Sequence, residues 1–171
     1  MGLQEIISGR VWKLGDHVNT DVLHPSSYFS LDAGRVEGWI MEGMERLGTA
    51  LRRQSLEDGL IIVAGENFGC GSSRETSVRG LRHFGVRGVV AASFARIFMR
   101  SLVNLGIPTL ECKEIQSQVK DGQLIHLKLK DNLIELEGGK CISFSPLDLH
   151  VKKILEAGGL IPYLRREQDG I

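Results

Sequence analysis

Residues 65–76 read Gly-Glu-Asn-Phe-Gly-Cys-Gly-Ser-Ser-Arg-Glu-Thr, and they carry most of the chemistry legible in this chain. Two adjacent hydroxyls (Ser72, Ser73) are followed by the guanidinium of Arg74, a planar cation suited to gripping a carboxylate bidentately. Three glycines (Gly65, Gly69, Gly71) remove side chains from the same loop, so that backbone N–H groups can approach a ligand. An apolar run at 60–64 enters the loop and an amphipathic pattern from about 74 to 84 leaves it, which makes it a strand-to-helix turn. The Gly-x4-Gly-Lys-Ser/Thr phosphate loop is absent, and Gly69-x-Gly71 lacks the third glycine of a dinucleotide fingerprint. A second reading uses the same residues. Ser72-x-x-Glu75 matches a capping box, whose only task is to satisfy backbone donors at a helix start. Cys70, between two glycines and with no histidine fixed beside it in sequence, reads as a small packed residue rather than a nucleophile.

The elements that must hold this loop follow from periodicity. A strand is expected at 8–13, followed by a turn at Gly15-Asp16 and an irregular polar stretch from 19 to 34. Apolar residues at Val36, Trp39, Ile40, Met44, Leu47 and Leu51 give helical spacing over 36–53. Then come a strand at 60–64, the loop, a helix stopped by Gly85, a strand at 86–92, a helix over 94–105 and a strand at 107–111. Strands alternating with helices imply a parallel α/β core. Beyond it, 124–129, 133–136 and 141–144 alternate between turns at Asp131-Asn132 and Gly138-Gly139, which predicts an antiparallel meander. Ser145 as N-cap and Pro146 at the first helical position predict a last helix, closed by Gly158-Gly159.

The 171 residues suit one domain, 1–171. Lys and Arg (21) balance Asp and Glu (21), which speaks against a nucleic-acid or anionic-membrane surface. No apolar run is long enough for a bilayer, and residues 1–8 have neither the basic flank nor the apolar core of a signal peptide. Cys70, Cys112 and Cys141 are widely spaced and form neither a zinc pattern nor a disulfide framework. A soluble, cytoplasmic protein with no metal of its own is the expectation. The five histidines show no ligand spacing. Arg96 and Arg100, at i,i+4 on one helix face, read as a solvated or subunit-facing pair.

Three blocks taken together resemble the small subunit of the 3-isopropylmalate dehydratase group, in the aconitase superfamily. They are Gly9-Arg10-Val11-Trp12-Lys13 with Gly15-Asp16 and Asn19-Thr20-Asp21; the glycine-serine loop; and Ser93-Phe94-Ala95-Arg96-Ile97-Phe98 with Asn104-Leu105-Gly106-Ile107-Pro108. The resemblance implies a swivelling β/β/α domain, a parallel α/β core with an antiparallel flank. It also implies a large partner subunit that carries a [4Fe-4S] cluster, and a reaction that dehydrates a 2-hydroxy acid and rehydrates it at the neighbouring carbon. By motif match, Ser72 stands where the superfamily keeps its catalytic base, acting as an alkoxide. Ser73, Arg74 and Gly71 match substrate-binding positions, and Asp21 matches an acid that supports proton transfer. On residue type alone, Asp21 is equally well an Asx-type cap in a polar turn.

Substrate choice is expected after Pro25. Relatives commonly read Pro-x-Arg-Tyr-Leu there, whereas this chain has Pro25-Ser26-Ser27-Tyr28-Phe29-Ser30-Leu31. Ser27 replaces the usual arginine. Ser30 stands where relatives acting on tricarboxylates place an arginine, and its loss disfavours a third carboxylate. Phe29 and Leu31 suggest a wall for an apolar substituent such as isopropyl or methyl. The implied substrate is isopropylmalate, with 2,3-dimethylmalate, methylmalate/citraconate or homoaconitate as alternatives. A stand-alone domain that only binds a dicarboxylate is the competing reading from another class.

Overall fold

The computed structural model describes residues 5–23, 42, 48–49, 57–71 and 75–169. The helix expected over 36–53 falls almost wholly outside them. In chain order the described elements are β1 (Ile6–Lys13), α1 (Thr20–Leu23), β2 (Leu60–Ala64), α2 (Glu75–His83), β3 (Val86–Ala91), α3 (Arg96–Asn104), β4 (Thr109–Glu111), α4 (Ile115–Gln118), β5 (Leu124–Lys128), β6 (Leu133–Leu136), β7 (Cys141–Ser143), α5 (Leu149–Ala157) and α6 (Leu160–Asp169).

One sheet runs β4-β3-β2-β1-β5-β6-β7. The parallel half and the antiparallel meander foreseen from periodicity share a single strand, β1. On one side β1 pairs in parallel with β2, Val11 opposite Ile61 and Lys13 opposite Val63. On the other it runs antiparallel to β5, Ile7 opposite Leu127 and Gly9 opposite Ile125. The sheet also curls until its edges meet. Past β7, the Ser145 N–H donates to the Glu111 carbonyl at the end of β4, 2.9 Å.

The inner strands of the parallel half, β2 and β3, are sandwiched between two cores, which explains why β2 is apolar throughout instead of alternating. Leu60, Ile62 and Ala64 face a core that includes Val78 and Leu81 of α2 and Phe98 and Leu102 of α3. Ile61 and Val63 face the inside of the curl, with Val11, Val90, Leu110, Ile125, Leu127 and Ile134. Each such side chain, fully withdrawn from water, contributes about 1.5–3 kcal/mol. The meander is apolar on one face only. Its other face carries the Ser8 Oγ–His126 Nδ1 hydrogen bond (2.7 Å) and the Lys128–Glu135 ion pair (2.8 Å).

Two expectations need correction. The N-cap of α5 is Asp148, whose carboxylate accepts the His150 N–H at 2.8 Å, not Ser145. The Ser145 backbone is committed to Glu111 across the seam, which holds residues 144–148 out of helix. Gly158, left-handed at φ 89°, ends α5 as foreseen, but the chain turns straight into a second helix, α6. Pro162 sits in the first turn of α6, where a missing N–H costs nothing.

Candidate active site

The carboxyl ends of β1, β2 and β3 lie side by side, so the segments that follow them, 14–19, 65–71 and 92–95, form one cluster at the carboxyl edge of the parallel half. That edge is where open α/β sheets bind ligands.

Backbone pairing continues past the strands and zips these segments together. Leu14 N–H donates to Val63 (2.7 Å), Gly65 to Gly15 (3.1 Å), His17 to Glu66 (2.7 Å), Gly69 to Val18 (3.0 Å) and Thr20 to Cys70 (2.9 Å). The Asp16 carboxylate accepts the Glu66 N–H at 2.8 Å. From the other side, Phe68 N–H donates to the Ser93 carbonyl (3.0 Å), and Asn67 N–H to the Ser93 hydroxyl (2.8 Å). Phe68 is fully buried and anchors the loop, its ring edge-to-face with Phe94 and Phe98.

These bonds revise the account of the glycines. The N–H groups of Gly65 and Gly69 are spent inside the protein rather than held for a ligand. A Cβ at Gly65 would stand 1.7 Å from Asp16 Oδ1, one at Gly69 2.0 Å from Phe98 Cδ1, and one at Gly71 2.1 Å from Asn19 Oδ1. Close approach of neighbouring segments therefore requires all three, and Gly71, exposed at φ 98°, is the last described residue before the serine pair.

Asp21 lies in the first turn of α1, half-buried, and the Thr20–Cys70 bond sets it beside the start of the glycine-serine loop. Asn19 caps that turn. Its carbonyl accepts from Val22 (3.0 Å) and its side-chain Oδ1 accepts the Asp21 N–H (2.8 Å). The structure thus brings together Asp21 and Gly71, which are distant in sequence. Ser72, Ser73, Arg74, Phe29, Ser30 and Leu31 lie outside the described residues. The helix after the loop is described from Glu75, whose carboxylate pairs with Arg79 one turn on (2.7 Å). Residue-type reasoning reads Asp16 only as a turn residue, and Asn19 and Ser93 only as members of the family blocks; it does not foresee their contacts with the loop. An N-cap residue two places before an acid was the available signal for Asn19.

Cys70 donates its thiol to the His17 carbonyl (3.2 Å), as a packed residue would. Burial pushes the Cys112 thiol up from its ordinary pKa, so it is a poor thiolate. Among the described residues no three His, Cys, Asp or Glu side chains form a metal-binding group. A cavity of about 560 Å³ opens at the β4–β7 seam, rimmed by Glu111, Lys113, Glu114, Gln118 and Lys140. It shares no residue with the loop cluster and has mixed charge, so the chemistry is assigned to the cluster.

Fold and cluster together define an α/β domain of the aconitase C-terminal type, and the model of the aconitase C-terminal domain family matches residues 33–115. The chain belongs to the family of 3-isopropylmalate dehydratase small subunits. It is 39% identical over 167 residues to the isopropylmalate/citramalate isomerase small subunit of Methanocaldococcus jannaschii, covering 96% of this chain and 97% of that one. It is also 39% identical to the methanogen homoaconitase small subunit of Methanothermobacter thermautotrophicus, covering 99% and 97%. A crystal structure of 3-isopropylmalate dehydratase from M. jannaschii superposes with a TM-score of 0.82 at 36% identity, covering 95% of each chain. No described helix is long and apolar enough to cross a membrane.

Proposed function

We propose that this chain is the small subunit of a cytoplasmic hydro-lyase that interconverts 2-isopropylmalate and 3-isopropylmalate, a step of leucine biosynthesis, and that it acts only with a large subunit. The observation that carries this reading is the delivery of Asp21 to the glycine-serine loop by the Thr20–Cys70 and Asn19–Asp21 bonds. Full-length similarity to small subunits of this family supports it.

The reaction removes a proton from a carbon beside a carboxylate and hydroxide from the next carbon, forms the double bond, and reverses with the two positions exchanged. Ser72, as an alkoxide, takes the carbon-bound proton. That requires the anion to be held by the helix end at α2 and the cation of Arg74. Ser73 and Arg74 grip a substrate carboxylate, and Asp21 supports proton transfer from beside the loop. The partner's [4Fe-4S] cluster would polarise the departing hydroxyl, and the three dispersed cysteines of this chain offer no equivalent.

The substrate is a 2-hydroxy dicarboxylate with an apolar substituent, on the strength of Phe29, Ser30 and Leu31. Co-expression with a large subunit that bears three clustered cysteines, anaerobic purification and assay on 2-isopropylmalate, citramalate, 2,3-dimethylmalate and homoaconitate tests this. Turnover of the alkylmalates is expected. Turnover confined to homoaconitate would overturn the substrate reading. Tight dicarboxylate binding by this chain alone, with no turnover by the pair, would favour a binding domain instead.

A further inference from the structure

Asn19 makes contacts that no catalytic role requires. Its Oδ1 accepts the Asp21 N–H at 2.8 Å, and its backbone bridges in parallel to Cys70. The same carboxamide fills the space beside Gly71 that a side chain would need. From the place a Cβ of Gly71 would occupy, Oδ1 is 2.1 Å away, Cγ 2.6 Å and Nδ2 2.8 Å. One side chain therefore touches both halves of the site, the acid on α1 and the residue from which the serine pair departs.

We infer that Asn19 is a positioning residue, whose carboxamide fixes the Asp21 turn and the Gly71 backbone relative to each other. This rests on the hydro-lyase reading above. An N-cap alone does not need Asn, since Ser serves as well. The planar amide packed on a glycine does need it, because the gap left by a shorter side chain frees Gly71 to rotate away. At φ 98° Gly71 occupies backbone space open mainly to glycine, so its direction of exit depends on what packs against it. A displacement on the order of 1 Å at a reacting group costs about 100-fold in rate.

The test uses the reconstituted two-subunit enzyme. Asn19→Ser keeps the cap and empties the contact with Gly71. It is expected to lower kcat about 10- to 100-fold with KM within about threefold, while circular dichroism and subunit association stay unchanged. The second measurement is a double-mutant cycle with Gly71→Ala. The strain of an alanine at positive φ is present in both backgrounds and cancels, whereas the collision with the carboxamide is present only beside the native asparagine. The fold-loss in kcat caused by Gly71→Ala should therefore be at least about threefold smaller in the Asn19→Ser background. Wild-type kcat for Asn19→Ser, or equal losses from Gly71→Ala in both backgrounds, would overturn the assignment while leaving the hydro-lyase reading intact. A wild-type complex that turns over no substrate of the panel would overturn both.

Discussion

The Phe68 ring meets Phe98 edge to face, with centroids 5.4 Å apart, and the Phe98 ring fills the space beside Gly69 that a Cβ would take. The contact fastens the loop after β2 to the helix after β3, so the glycine-serine loop is held by core packing as well as by backbone bonds. Aromatic pairs of this geometry add about 0.5–1.5 kcal/mol beyond their burial.

Gly69→Ala is expected to break this fastening. The residue sits at φ 82°, which costs an L side chain about 1–2 kcal/mol, and its Cβ would lie 2.0 Å from Phe98 Cδ1. With overpacking the loss should reach about 2–4 kcal/mol, or roughly 10 °C in Tm. Thermal unfolding followed by circular dichroism measures it. A Tm within about 2 °C of the parent would mean the aromatic contact is slack.

Asp21→Asn separates structure from chemistry. The described bonds of the α1 turn use the backbone of Asp21 rather than its carboxylate, so the variant should fold with an unchanged Tm. If the carboxylate supports proton transfer, kcat of the reconstituted enzyme should drop about 100-fold or more. Full activity would return Asp21 to the role of a turn residue.

The division of the sheet into a parallel half and an antiparallel meander was legible because buried parallel strands and half-solvated antiparallel strands obey different patterns; the order of the strands was not. The unbroken apolar run of β2 and the alternation of β5 announced their environments. Helix ends were less legible where a long-range bond decides them. Nothing local in Ser145-Pro146 reveals that Ser145 reaches Glu111, and without that bond the pair would be a sound helix start. In the site, Gly65, Gly69 and Gly71 stood out as a group, but their reasons are Asp16, Phe98 and Asn19, contacts visible only in three dimensions.

Stability against pH should carry the mark of Lys128 and Glu135. The lysine holds the Glu135 carboxyl below its ordinary value, chiefly by hydrogen bonding, and the carboxylate pushes Lys128 up. A lowered carboxyl pKa stabilises the fold above the ordinary Glu range and stops doing so as pH falls through the folded value. A raised lysine pKa stabilises below the ordinary Lys range and fails above it. Lys128→Met should therefore lower Tm by a constant amount from about pH 6 to 9, with the gap closing below about pH 4. A gap that widens on acidification would contradict the pairing.

Substrate choice offers the sharpest test of the residues after Pro25. Ser30 occupies the position where tricarboxylate-acting relatives are expected to hold an arginine, and a relative named for homoaconitate is as similar to this chain as one named for isopropylmalate and citramalate. Overall identity cannot separate the two, so the discrimination must rest on a few side chains. A guanidinium pairs bidentately with a carboxylate, and such a charge-assisted contact is worth about 1.5–3 kcal/mol, or roughly 10- to 100-fold. Ser30→Arg should raise kcat/KM for homoaconitate by about that factor. It should also lower kcat/KM for 2-isopropylmalate, because an unpaired cation would then face an apolar substituent. The measured quantity is the ratio of the two kcat/KM values in the reconstituted enzyme. A ratio unmoved by the substitution would place the side chain of residue 30 away from substrate and shift the search to Phe29 and Leu31.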